Sequence, residues 1–334
     1  MIAAHETFEG TFPYAPHFNS SPGFRMHFVD EGTGPVLLCL HGEPTWGYLF
    51  RKLVAGLSNT HRVVVPDHMG FGKSETPGNR TYWLRDHVDN LEAFVLDLEL
   101  RDITLVMHDF GGPVGMGLLA RRPDLITRVI ALNAPTPFGQ SDLAQTLVTN
   151  ASQSPWFRWI ARAEADGTLD HVLGALGYSA LSTLKLNGFQ DNTVITPAWI
   201  RAYEAAFPTR EETLGALGWA KGFALGKHHF ETPSRESREA ATRLPALTVW
   251  GTQDRTLRAE HFLPLFRAAF PHGLVSELPA AGHYSPEDAP DATIALVRLF
   301  LDATAEDSEP RGRPLPQLDA DHNTQPLPSA RTAN

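Results

Sequence analysis

Val106-Met107-His108-Asp109-Phe110-Gly111-Gly112 is an apolar run that turns abruptly into small residues and a helix-like stretch. That is the shape of a nucleophile elbow, a strained strand-to-helix turn that lifts one side chain above a sheet. Serine usually occupies the raised position, but here the residue is Asp109. A carboxylate that attacks an ester carbonyl gives an anhydride, a poor intermediate. The same carboxylate displacing a leaving group from a saturated carbon gives a stable alkyl ester. The expected electrophile is therefore an sp3 carbon bearing a halide, an epoxide oxygen or a strained lactone oxygen.

Outward from the elbow, apolar segments alternate with longer amphipathic ones, the rhythm of a sheet wound with helices. Strands are expected at 24–30, 36–40, 62–66, 103–107, 129–132, 246–250 and 274–278. Helices are expected at 48–57, 83–98, 112–121, 260–270 and 289–301. In 83–98, Leu84, Val88, Leu91, Val95 and Leu98 form one apolar stripe. The rhythm breaks over 135–243, where aromatic-rich helical pieces replace strands. The reading is an α/β core (24–134 and 244–301) with an inserted helical cap (135–243), preceded by an N-terminal extension (1–23). The tail, 302–334, is rich in Pro, Asp, Arg and Ser and reads as disordered.

A carboxylate nucleophile needs a base to activate the water that later hydrolyses the ester. His283, in Ala281-Gly282-His283-Tyr284, follows the last strand, at the carboxyl end of the sheet where the elbow also lies. Asp254, after the preceding strand, can orient and stabilise that imidazole. Asp102 is the alternative acid, but it precedes the elbow strand at the wrong end of the sheet. Asn133 follows the strand ending near Leu132 and cannot serve as an acid. The order nucleophile, acid, base is that of a hydrolase triad on a wound sheet. His41-Gly42-Glu43-Pro44 follows an earlier strand, so the backbone N–H groups of Glu43 and Phe110 are the expected oxyanion donors.

At these residues the chain resembles the haloalkane dehalogenases, the aspartate-nucleophile branch of the α/β-hydrolases. The resemblance lies in His41-Gly42-Glu43-Pro44-Thr45-Trp46 with Tyr48, Phe50 and Arg51, and in Pro66-Asp67-His68-Met69-Gly70-Phe71-Gly72-Lys73-Ser74. It extends to the elbow, the Gly282-His283 loop and the cap stretch Thr196-Pro197-Ala198-Trp199-Ile200-Arg201-Ala202-Tyr203. It spans roughly 24–301 and implies an α/β-hydrolase fold, a mostly parallel sheet flanked by helices and bearing a helical cap. The implied activity is displacement of halide by Asp109, then hydrolysis of the alkyl ester by water that His283 activates, with no cofactor. Epoxide hydrolases and β-lactone-decarboxylating enzymes share much of this frame. One departure is pointed. Members of the family usually carry Trp directly after the nucleophile, donating its indole N–H to the halide, whereas Phe110 has no such donor. Either the halide site is rebuilt here or the leaving group is not halide. The family's second donor is Asn at the position of Glu43 or a Trp from the cap, so Glu43 implies a cap Trp, and the candidates are Trp156, Trp159, Trp199 and Trp219, with Trp156 and Trp159 preferred. For an epoxide, the ring-oxygen donors would be Tyr178 and Tyr203.

The composition bounds the partners. The chain has 334 residues, 42% hydrophobic, 20% charged and 10% aromatic, as in a soluble enzyme with one large core. A net charge of -10 without a basic patch argues against nucleic acid and anionic membranes. No stretch is long and apolar enough to span a bilayer, and the start lacks the pattern of a signal peptide. The single cysteine, Cys39, excludes an intrachain disulfide and a cysteine-based metal site, so a reducing cytoplasm is expected. Gly72-Lys73-Ser74 lacks the earlier glycine of a phosphate loop. The adjacent His228-His229 lacks further ligands for a metal. The expected partners are a small apolar organic substrate and water. A non-catalytic binding protein on the same scaffold is the alternative from a different class.

Overall fold

The computed structural model describes residues 2–138 and 141–305. Its sheet is built from β1 (His17–Asn19), β2 (Met26–Glu31), β3 (Val36–Leu40), β4 (Arg62–Pro66), β5 (Ile103–His108), β6 (Ile126–Leu132), β7 (Ala246–Gly251) and β8 (Leu274–Leu278). The strands lie in the order β1-β2-β4-β3-β5-β6-β7-β8. β2 runs antiparallel to both its neighbours, and every other pairing is parallel. The central strands are continuous apolar runs because helices cover both faces. All of Ile103–His108 is buried, as are Leu37, Leu38, Cys39 and Leu40.

The chain winds one way from β3 to β4, then crosses to β5 on the other side of β3. The resulting switch point is where an open wound sheet holds its ligands. Leu40 pairs with Met107 in the parallel register, so the loops leaving β3 and β5 start side by side. Leu84–Asp97 packs its stripe of Leu84, Val88, Leu91 and Val95 inward, and Val88 fits against Gly117 of the elbow helix, Gly111–Arg121.

Two local expectations change. The helix expected over 48–57 is a 3-10 turn, Gly47–Phe50, running into a helix, Arg51–Leu57. β1 escapes a periodicity reading because it is only three residues long. It lies in the stretch before residue 24, which packs closely onto the rest of the chain. Phe8 and Phe12 are buried against Trp46 and Tyr48. The buried Lys73 ammonium donates to the carbonyls of Ala4 and Glu6, each at 2.8 Å.

Among the described residues, 141–241 form helices and no strand. Ser154, Thr196 and Ser234 cap three of these by accepting an N–H from the first turn. The last helix, Pro290–Ala303, takes in the start of the stretch read as a tail, and 306–334 lie outside the described residues. Among the described residues, no helix is long and apolar enough to cross a membrane.

Candidate active site

Asp109 follows the last residue of β5 with φ +48°, a left-handed conformation that an L-residue adopts only under constraint. The constraint is close packing. A Cβ on Gly42 would overlap the Asp109 carboxylate, and one on Gly111 would overlap the Leu40 carbonyl. Glycine at both places lets the β3 loop and the elbow helix touch the turn. The Asp109 carboxylate keeps 17% of its surface open.

His283 Nε2 stands 3.4 Å from Asp109 Oδ2, and His283 Nδ1 stands 2.7 Å from Asp254 Oδ2. The three side chains singled out from sequence therefore meet at the carboxyl ends of β5, β7 and β8. Asp254 is fixed from behind: its Oδ1 accepts the N–H groups of Thr256 and Leu257 at 2.9 and 2.8 Å. Asn133 donates 3.0 Å to Asp254 Oδ2 and 3.1 Å to the Gly251 carbonyl, and accepts from Gly251 N–H at 2.8 Å. Asn133 also has φ +44°, so a second strained turn, after β6, braces the acid.

Burial alone would lower the His283 imidazole, but Asp254 and Asp109 on either side raise it to about 10. Burial would raise the Asp109 carboxyl, yet His283 holds it below the ordinary carboxylate value. The resting pair is thus carboxylate and imidazolium. His108 Nε2 contacts the His283 carbonyl at 2.9 Å, and burial lowers its imidazole to about 3, so it stays neutral and structural.

Glu43 N–H donates to Asp109 Oδ1 at 2.8 Å. Phe110 opens the elbow helix, whose first N–H groups have no intrahelical partner. Of the two main-chain donors expected from the sequence, Glu43 N–H thus reaches the carboxylate, and Phe110 N–H stands in the turn directly after it. The sequence assigns the Glu43 side chain no task beyond standing where related enzymes carry an Asn donor. Glu43 Oε1 is enclosed without a partner, and burial together with Asp109 pushes the carboxyl well above its usual value.

The aromatic candidates from the helical stretch do not converge on Asp109. The Trp219 ring lies over Phe110 with centroids 4.1 Å apart, but its indole N–H donates to His87 Nε2. Trp199 Nε1 donates to Glu287 Oε1 at 3.2 Å, and the Tyr203 hydroxyl donates to the same oxygen at 2.8 Å. Tyr178 is 91% exposed. Trp156 and Trp159 stack on each other, 5.3 Å between centroids, against the cluster of Ile160, Leu173 and Leu217. His228, set aside as a metal ligand, accepts from Leu84 N–H and bonds the Trp219 carbonyl, so both ring nitrogens are engaged.

The alpha/beta hydrolase fold profile matches residues 35–290. The chain belongs to the α/β-hydrolase family. It is 33% identical over 299 residues to the cis-3-alkyl-4-alkyloxetan-2-one decarboxylase of Shewanella oneidensis, covering 87% of this chain and 90% of that one. It is 30% identical over 287 residues to haloalkane dehalogenase 2 of Mycobacterium tuberculosis, covering 84% and 92%. Among solved structures, it superposes on a mutant epoxide hydrolase from Bacillus megaterium with a TM-score of 0.70 at 22% identity, over 86% of this chain and 100% of that one. On the haloalkane dehalogenase DatA of Agrobacterium tumefaciens the TM-score is 0.67 at 21% identity, over 86% and 96%. These two structural matches speak to the fold. This α/β-hydrolase is accordingly an enzyme of the haloalkane dehalogenase-like group.

Proposed function

We propose that this enzyme opens a β-lactone, an oxetan-2-one, by attack of the Asp109 carboxylate on the saturated ring carbon that bears the ring oxygen. Attack forms an alkyl ester on Asp109 and breaks the bond from that carbon to the ring oxygen. The electron pair goes to the oxygen, which becomes part of a free carboxylate. In the second step that carboxylate leaves as carbon dioxide. Its carbon–carbon electron pair forms an alkene, and the ester bond breaks to return Asp109 as a carboxylate. Atoms and electrons balance without water or a redox partner.

The observation that carries this reading is the engagement of Trp219, Trp199 and Tyr203 with His87 and Glu287. A departing halide or epoxide oxygen concentrates charge on one atom and calls for such donors. A lactone leaves as a carboxylate, which spreads its charge over two oxygens while ring strain is released. The relative named an oxetan-2-one decarboxylase supports the same choice. His283, raised to about 10, is a cation that steadies the Asp109 carboxylate as it departs in the second step. The helical segment serves as a cap, since Trp219 and Phe223 stand against Phe110 beside the nucleophile.

Halide displacement is the second reading, favoured by the 30% identical dehalogenase. There His283 must lose its proton once Asp109 is esterified, and then act as base toward water. The test is to offer a cis-3,4-dialkyl oxetan-2-one and a panel of short bromoalkanes side by side. Alkene and carbon dioxide from the lactone are expected. Bromide release with the lactone untouched would overturn the proposal.

A further inference from the structure

Directly after His283, the short helix Ser285–Asp288 ends in two consecutive acids, Glu287 and Asp288. Neither reaches Asp109, and the chemistry above uses neither. Both bind the helical segment. Asp288 Oδ2 accepts the N–H of Gly282, the residue before His283, at 2.8 Å. Its Oδ1 accepts the N–H groups of Gln190 and Asp191 at 2.8 and 2.9 Å. These two follow helix Ala180–Asn187, and Gly188 presses so closely on Gly282 that a Cβ there would overlap its carbonyl.

Glu287 ties the next part of the same segment. It is 1% exposed and takes the Trp199 indole and the Tyr203 hydroxyl, both from helix Pro197–Glu204. Arg51 grips both its oxygens, and Lys52 lies 3.5 Å from Oε2. Burying a carboxylate costs free energy unless partners surround it, and these partners are split between the core and the helical segment.

We propose that Glu287 and Asp288 are positioning residues for His283. Together they fasten the loop that carries the imidazole to the helical segment, so that the place of His283 beside Asp109 depends on that segment being seated. The chemistry of Asp288 makes the idea specific. Both of its oxygens must accept, and an amide at this position would turn an NH2 group toward one set of N–H donors.

The test is read on the unliganded enzyme and needs no substrate, so failure of the lactone reading would leave it intact. The proton on His283 Nδ1, shared with Asp254, is followed by NMR in wild type and in Asp288→Asn. If the latch positions His283, this proton moves in resonance position and exchanges with water at least tenfold faster in the variant. Trp199→Phe removes one neutral donor and keeps every charge, so it carries the test if Asp288→Asn fails to fold. Its expected effect is a threefold or greater rise in exchange. A shared proton with unchanged position and exchange rate in the folded variants would overturn the proposal.

Discussion

The main-chain N–H of Glu43 donates to Asp109 at 2.8 Å, while the carboxyl of the same Glu43 has an enclosed oxygen with no partner. Burial and the Asp109 charge both raise the Glu43 carboxyl well above its usual range, which favours its neutral form. Once ionised it would repel the carboxylate forming from the substrate. Glu43→Gln, a neutral side chain of the same shape, should therefore match the neutral form of wild type within about threefold. It should also lack whatever part of an alkaline fall in kcat/KM comes from Glu43 ionisation in wild type. A pH–rate profile of the two proteins checks this.

If Asp109 is the nucleophile proposed above, Asp109→Asn should reduce turnover by about 10⁴-fold or more, because its removal leaves only binding and oxyanion stabilisation. His283→Gln should still be alkylated, and release should become slow. Intact-protein mass spectrometry after incubation with substrate should then show the ester on His283→Gln and none on Asp109→Asn.

Trp219→Phe separates the two leaving-group readings. The indole N–H bonds His87, so lactone opening should change by no more than about threefold, with about 1 kcal/mol of stability lost. A donor to departing halide would cost on the order of 10²-fold instead. Stopped-flow rates of ester formation with each substrate decide between them.

Asn133→Gly keeps the left-handed backbone and removes the side chain that braces Asp254. A loss of about 1–3 kcal/mol is expected from the unsatisfied partners it leaves, seen as a lower urea midpoint. Asn133→Ala should be worse, because alanine also pays the positive φ.

Stability should fall at both ends of the pH range, for opposite reasons. Burial lowers the imidazoles of His41, His68, His87, His108 and His228, which fold as neutral rings. The unfolded chain binds their protons near pH 6.5, so stability drops as pH falls below that value. The drop for each group continues to its folded value, about 4 for His228 and about 3 for His108. Each can contribute up to about 1.4 kcal/mol per pH unit over its span. His283 has the reverse sign: its contribution is complete below its unfolded value and is lost as pH rises toward about 10. Urea midpoints at pH 5, 7 and 9.5 should be highest in the middle, and equal midpoints at pH 5 and 7 would contradict the histidine account.

The sheet and the meeting of Asp109, Asp254 and His283 could be read in advance because each signal is local. A buried parallel strand is a short apolar run, and each of these residues lies in the turn or loop that follows one. The roles of Trp199, Tyr203 and Trp219 could not be read so. Their direction depends on Glu287 and His87, which lie far away in the chain. Glu287 and Asp288 were visible as letters, but in Pro-Glu-Asp they look like ordinary acids at a helix start. Only the packing of a separate segment against them reveals a different task.

Lys73 gives the first dozen residues a standing their composition hides. Its ammonium is sealed from water and bonds the carbonyls of Ala4 and Glu6, with the Phe12 ring 5.1 Å away. A chain trimmed to start at residue 13 would leave this cation without those acceptors and would strip Phe8 and Phe12 from Trp46 and Tyr48, which follow Glu43 in the loop after β3. Damage done at residues 2–12 would thus be felt in the loop whose N–H reaches Asp109, far along the chain.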